Sequence, residues 1–288
     1  MTAVNAKMSL RFQQTVFHAV LLGFVLVVSG VQRDAIAESA IPQVVTCPGE
    51  YRQHLQGVCA DPEGNLFWSF TSELVKTDSQ GKLLLQIPVA SHHGDLCYHD
   101  GRIFVAVNLG KFNQPAGQAK SWVYEYDAST LKERNRFPVP EVVHGAGGMD
   151  FANGSFFVVG GLPRGIPENY LYEYTPDFQF QKRHVLKSGE TLLGIQVAHF
   201  HGGVWWLGCY GKPPVLLKAD AKFQMQGQWN FNGAVGLLGV NSEYMLVAVN
   251  RRTPNQKNEA KLVPARIQPD GSLSFVSEET STPSESQR

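Results

Sequence analysis

The chain has 288 residues, with 25 Lys plus Arg against 25 Asp plus Glu and a formal net charge of zero. That balance excludes a protein that grips nucleic acid or an anionic membrane surface through bulk charge. A hydrophobic share of 43% leaves enough apolar side chain for one large domain.

In chain order, the first 37 residues read as a leader and not as fold. Lys7 and Arg11 precede an apolar stretch over 16–31, and Ala35, Ile36 and Ala37 supply a small-x-small cleavage site before Glu38. Positive, apolar and small residues in that order describe a secretory signal peptide. The apolar run is short for a span of about 20 residues and His18 interrupts it, so no membrane span is expected in the mature protein. Lys7, Arg11 and Arg33 against Asp34 fall in this leader, and its removal leaves a net charge of −2. The expected product is secreted or periplasmic, and a monomer.

Residues 38–276 carry an internal repeat. Long amphipathic helical periods are missing, and short apolar runs separated by Gly, Asp, Asn and Pro read as many strands. One strand recurs at 65–70, 102–107, 155–160, 203–208 and 243–248, and four of the five follow Gly directly. A second strand follows each, at 73–78, 122–127, 170–175, 215–220 and 261–267. Asp-containing turns lead to a third, and an apolar segment before each Gly turn supplies the innermost. Four antiparallel strands repeated every 37 to 53 residues predict an all-β, five-bladed β-propeller. The outer strand of the last blade has two candidates, the segment 42–47 and the segment 272–276. The tail 277–288 is rich in Ser, Thr, Glu and Pro and is expected to be disordered.

In this topology the starts of the innermost strands converge on one mouth of the axial channel. His54, His92 and His144 occupy the matching position in three consecutive repeats, and His93 sits beside His92. Imidazoles gathered at an axis are natural ligands for a divalent ion such as Zn, Mn or Fe, and three protein ligands with an open position is the catalytic pattern. Gln56, Asp95 and Gln196 fall near the same mouth, and Asp95 is a candidate catalytic group. The alternative is that the histidines only fasten blade to blade. Long loops on this face, 108–121, 160–169, 209–213 and 250–260, carry more Lys and Arg than acid. Arg164, Lys212 and Arg251 are therefore candidate binders of an anionic substrate, with Asn108 and Asn250 at matching loop positions and Tyr210 as a proton donor. His99, His199 and His201 fall at the opposite face as surface turn residues.

The four cysteines, Cys47, Cys59, Cys97 and Cys209, match no zinc or redox spacing. Cys59 and Cys97 hold equivalent repeat positions and are expected to be small buried thiols.

The first repeat, His54-Leu55-Gln56-Gly57-Val58, resembles the aromatic-Thr-Gln-Gly-Leu opening of the glutamine cyclotransferase family, the plant-type glutaminyl cyclases. The resemblance implies a five-bladed propeller and places Gln56 on the family's Gln. The second repeat departs, with Gly94-Asp95 where the family has Glu-Gly. Three functions stand as expectations: a metal-dependent hydrolase or lyase on an anionic, sugar-like substrate; a non-catalytic propeller binding a small molecule, a glycan or a protein; and a cyclotransferase-like acyltransferase.

Overall fold

The computed structural model describes residues 40–276, so the leader and the 277–288 tail lie outside the described residues. Strand β1 (Val45–Tyr51) comes first, and four four-stranded sheets follow. The first is β2 (Leu55–Ala60), β3 (Leu66–Phe70), β4 (Glu73–Thr77) and β5 (Leu83–Pro88). The second is β6 (His93–His99), β7 (Arg102–Asn108), β8 (Ser121–Asp127) and β9 (Glu133–Pro138). The third is β10 (Ala146–Ala152), β11 (Ser155–Gly160), β12 (Asn169–Tyr174) and β13 (Phe180–Leu186). The fourth is β14 (Leu192–His201), β15 (Val204–Tyr210), β16 (Val215–Asp220) and β17 (Met225–Asn230). All pairings are antiparallel between successive strands, and the innermost strands touch in cyclic order around an axis. This is the five-bladed propeller that the repeat predicts.

The last blade settles the ring closure. Strands β18 (Leu237–Gly239), β19 (Tyr244–Arg252) and β20 (Asn258–Ile267) pair in order. Both candidate segments then share the outer edge of the ten-residue β20. β1 pairs its first half, with Val45 opposite Leu262 and Tyr51 opposite Asn258, and β21 (Leu273–Phe275) pairs its end, with Ala265 opposite Phe275. The N-terminal strand therefore locks the last blade to the first.

Asp residues set the outer turns. Asp78 Oδ1 accepts the N–H groups of Gln80 and Lys82, both at 2.9 Å. Asp220 Oδ1 accepts those of Lys222 and Gln224, both at 2.8 Å. A short acceptor that satisfies turn donors locally explains why Asp recurs there.

Among the described residues, five buried clusters each join two neighbouring blades: Trp68 and Phe70 with Leu246 and Leu262, Phe67 with Val105 and Tyr124, Phe104 with Phe156 and Tyr174, Phe157 with Trp205, and Trp206 with Met245 and Val247. A blade cannot bury both faces alone, so stacking around the ring supplies the stability. Phe67, Trp68, Trp205 and Trp206 are packing residues, as their strand positions predict. All four cysteines are buried free thiols.

Candidate functional site

Each of the first four innermost strands carries a β-bulge near its start. The pairing shifts between Leu55 and Gly57, between His93 and Leu96, between Ala146 and Gly148, and between Leu192, Ile195 and Val197. A bulge leaves an extra residue unpaired and re-aims its side chain. The extra residues are Gln56 in the first blade, Gly147 in the third and Gln196 in the fourth, and all three line one cavity of about 150 Å³. His54, His92, Phe112, Asn113, Leu193 and Tyr210 complete its wall.

The centre of the wall is a connected polar cluster. Gln56 Nε2 lies 2.9 Å from His54 Nε2, 3.0 Å from Thr71 Oγ1 and 3.3 Å from His92 Nε2. Tyr210 Oη lies 3.3 Å from the same His54 Nε2. An amide nitrogen carries two hydrogens and faces three partners, and one neutral imidazole nitrogen, with either one hydrogen or one lone pair, faces both the Gln56 amide and the Tyr210 hydroxyl. The cluster is thus over-subscribed, and a ligand can take up a contact that the protein cannot fill. His92 Nδ1 is buried without a hydrogen-bond partner, and its ring meets the edge of Phe112 with centroids 5.0 Å apart.

Burial sets the charge states. It lowers the pKa of His54. Burial, followed by the neighbouring His54, takes that of His92 down to about 4. Burial also raises that of Tyr210. At neutral pH the cluster therefore holds two neutral imidazoles and a protonated phenol. No Lys or Arg lines this cavity.

The structure brings His54, Gln56, His92, Gln196 and Tyr210 together, and it corrects the remaining assignments. His93, the first residue of β6, is fully buried, with its ring against Tyr124 and Tyr126 and not in the cavity wall. Its Nδ1 lies 2.6 Å from the Ala90 carbonyl and its Nε2 lies 2.7 Å from Tyr126 Oη, so both nitrogens are committed. His144 is turned out by Gly145, whose φ of 106° lies in the left-handed region. Its Nδ1 donates to the Gln114 carbonyl at 2.8 Å, and the third blade reaches the cavity only at Gly147. The predicted three-imidazole metal set is consequently not assembled. Among the described residues no three His, Cys, Asp or Glu side chains are grouped to hold a metal ion.

Asn108 and Asn250 are fasteners and not ligand groups. Asn108 Oδ1 accepts Gly110 N–H at 3.1 Å and Lys120 N–H at 2.8 Å, closing its own loop. Asn250 Oδ1 accepts Leu55 N–H at 2.9 Å, and its amide donates to Asn258 Oδ1 at 3.0 Å, joining last blade to first. Arg251 pairs with Glu259 at 2.6 Å. Arg164 and Lys212 are exposed and do not line the cavity. Asp95 lies deeper in the channel, fully buried, and Ala198 N–H of the fourth blade donates to its Oδ2 at 3.2 Å. It lines a second cavity at the far side of the channel together with His199, a residue that the repeat pattern reads as a surface turn.

Phe112, Asn113, Gly147 and Leu193 are wall residues that sequence reasoning misses. Phe112 and Asn113 sit on the 108–121 loop and carry no repeat mark. Gly147 offers no side chain to notice.

The class is a five-bladed propeller with a neutral polar cavity at one mouth of its axis. No protein-family profile and no curated protein matches this chain. Among solved structures, the glutaminyl cyclase of Myxococcus xanthus is similar with a TM-score of 0.55, at 12% identity over 80% of this chain and 97% of that one. The WD40 repeats of RRP9 are similar with a TM-score of 0.50, at 10% identity over 83% and 85%. Likeness at such identities establishes the shared propeller fold and nothing finer.

Proposed function

We propose that the cavity walled by His54, Gln56, His92, Gln196 and Tyr210 is the ligand site of this protein. It receives an uncharged polar group of a small molecule, such as a sugar diol or a carboxamide. The observation that carries this reading is the over-subscribed cluster: His54, Gln56, His92 and Tyr210, side chains from three blades, meet at one small cavity with both imidazoles held neutral. The neutral lining favours an uncharged group over the anionic sugar that the charged loops suggest, and Arg251 on those loops is already paired. Chemistry at this site would use His54 as base and Tyr210 as donor, a proton pair linked at 3.3 Å.

Thermal unfolding of the full chain against neutral mono- and disaccharides and dipeptides with N-terminal Gln tests the reading. At least one compound is expected to raise Tm, and Gln56→Ala or Tyr210→Phe removes the effect. A panel without response, or a response that both variants keep, overturns it. The second reading, cyclotransferase-like activity, is favoured by Gln56 in the cavity wall and by a fold shared along 97% of the Myxococcus enzyme's chain. It predicts loss of ammonia from N-terminal Gln dipeptides, abolished in Gln56→Ala.

A further inference from the structure

Two amides in the wall of the mouth cavity have their direction fixed by backbone groups. Gln196 Nε2 donates to the Leu193 carbonyl at 2.8 Å and to the Gly194 carbonyl at 3.4 Å. A carbonyl only accepts, so these contacts belong to the nitrogen, and Oε1 is the atom left over. Asn113 is held the other way round. Its Oδ1 accepts the Leu162 N–H at 2.9 Å, which leaves Nδ2. Among the described residues neither Gln196 Oε1 nor Asn113 Nδ2 has a hydrogen-bond partner, and both residues line the cavity. Glycine keeps the space open: a Cβ on Gly147, in the same wall, would stand 3.9 Å from Gln196 Oε1. Leu193 and Gly194 have φ of 64° and 76°, left-handed backbone that is sterically unfavourable for Leu, and in that conformation their carbonyls meet the Gln196 amide.

Given that this cavity is the ligand site, we infer that its occupant is a neutral sugar unit, selected by Gln196 Oε1 as acceptor and Asn113 Nδ2 as donor. The ligand must offer an O–H or N–H to the first and a lone pair to the second. A carboxylate has no hydrogen to give and an ammonium no lone pair, so each leaves one of the two amides unfilled. No Lys or Arg lines the cavity to compensate a carboxylate. A hydroxyl does both. The Tyr210 hydroxyl and the His54 imidazole also donate or accept as their proton is placed, so they follow whichever sense a neighbouring hydroxyl takes. A lone carboxamide fills Gln196 and Asn113 and has nothing left for that cluster, whereas a sugar ring carries hydroxyls on several sides. Phe112 adds an apolar wall for ring C–H groups. At roughly 30 Å³ per water, a cavity of about 150 Å³ holds about five waters, which the hydroxyls of one sugar ring replace.

The test is calorimetric titration of the full chain with glucose, galactose, mannose and N-acetylglucosamine, with glucuronate and galacturonate, and with dipeptides carrying N-terminal Gln. At least one neutral sugar is expected to bind saturably, and the uronates are expected to bind at least about tenfold more weakly than glucose and galactose. Gln196→Met removes the acceptor at similar size and Asn113→Ala removes the donor, and each is expected to weaken the sugar about tenfold. Should the variants fail to fold, the wild type carries the test with the fully O-methylated sugar, which keeps its lone pairs, loses every donor and is expected not to bind. Sugar binding that both variants keep, a methylated sugar that binds as well as its parent, or uronates that match the neutral sugars would overturn the inference. A panel in which only the dipeptides bind overturns it too and leaves the ligand site standing, whereas silence from every compound overturns both.

Discussion

Acidification should destabilise this propeller through one interior histidine, by an amount the structure sets. His93 is fully buried, donates from Nδ1 to the Ala90 carbonyl and accepts from the Tyr126 hydroxyl at Nε2. Burial lowers its pKa from the ordinary 6.5 to about 4. Between those values the unfolded chain binds a proton that the folded chain refuses, so stability is full above pH 6.5 and drains as pH falls toward 4. A gap of about 2.5 units is worth about 3 kcal/mol in full, and about 2 kcal/mol is already lost at pH 5. Urea unfolding followed by tryptophan fluorescence at pH 7 and pH 5 measures the loss. His92 titrates in the same window, so the wild type loses more than His93 alone would cause. His93→Gln isolates the share: its loss between the two pH values should be smaller than that of the wild type by about 2 kcal/mol. Equal losses in wild type and variant would refute the reasoning.

Glycine substitutions separate cavity from scaffold. A Cβ on Gly147 would meet Gly160 Cα at 3.4 Å and Gln196 Oε1 at 3.9 Å, ordinary contacts, so Gly147→Ala should keep Tm within a few degrees and weaken ligand binding by filling the cavity. A Cβ on Gly160 would lie 1.9 Å from the Gly145 carbonyl, so Gly160→Ala should strongly lower Tm or prevent folding. Asn250→Ala strips the partner from Leu55 N–H at the closure of the ring, and urea titration should show a loss of about 1–3 kcal/mol. A change at the ligand site should spare stability: Tyr210→Phe should unfold within about 1 kcal/mol of wild type, since among the described residues its hydroxyl meets only His54 Nε2, at 3.3 Å, a nitrogen that Gln56 also contacts.

Much of the fold is legible in the sequence because each blade repeats its own turn chemistry and strand pattern. The 155–160 run matches β11 end to end, and Asp78 and Asp220 stand where the outer turns need an acceptor. The site is less legible, for a reason of period. A matching repeat position implies a matching direction only if the strands keep one register, and every one of the first four innermost strands has a bulge there. One extra residue reverses which face a side chain takes. His54 and His92 keep their places at the mouth, His93 turns inward to Tyr126, and Gly145 swings His144 to Gln114. The loop asparagines mislead differently, since Asn108 and Asn250 match each other as backbone fasteners and not as ligand groups. Phe112 reaches the wall through a loop whose path no repeat encodes.

The most direct test of the ligand site is histidine-selective nitrogen NMR on the full chain, with the panel compound that gives the largest Tm rise. The account predicts neutral imidazole patterns for His54 and His92 at pH 7. Saturation with the compound should move those two sets of resonances and leave His93 and His199 in place. Resonances of His199 that move while those of His54 and His92 stay still would contradict the account.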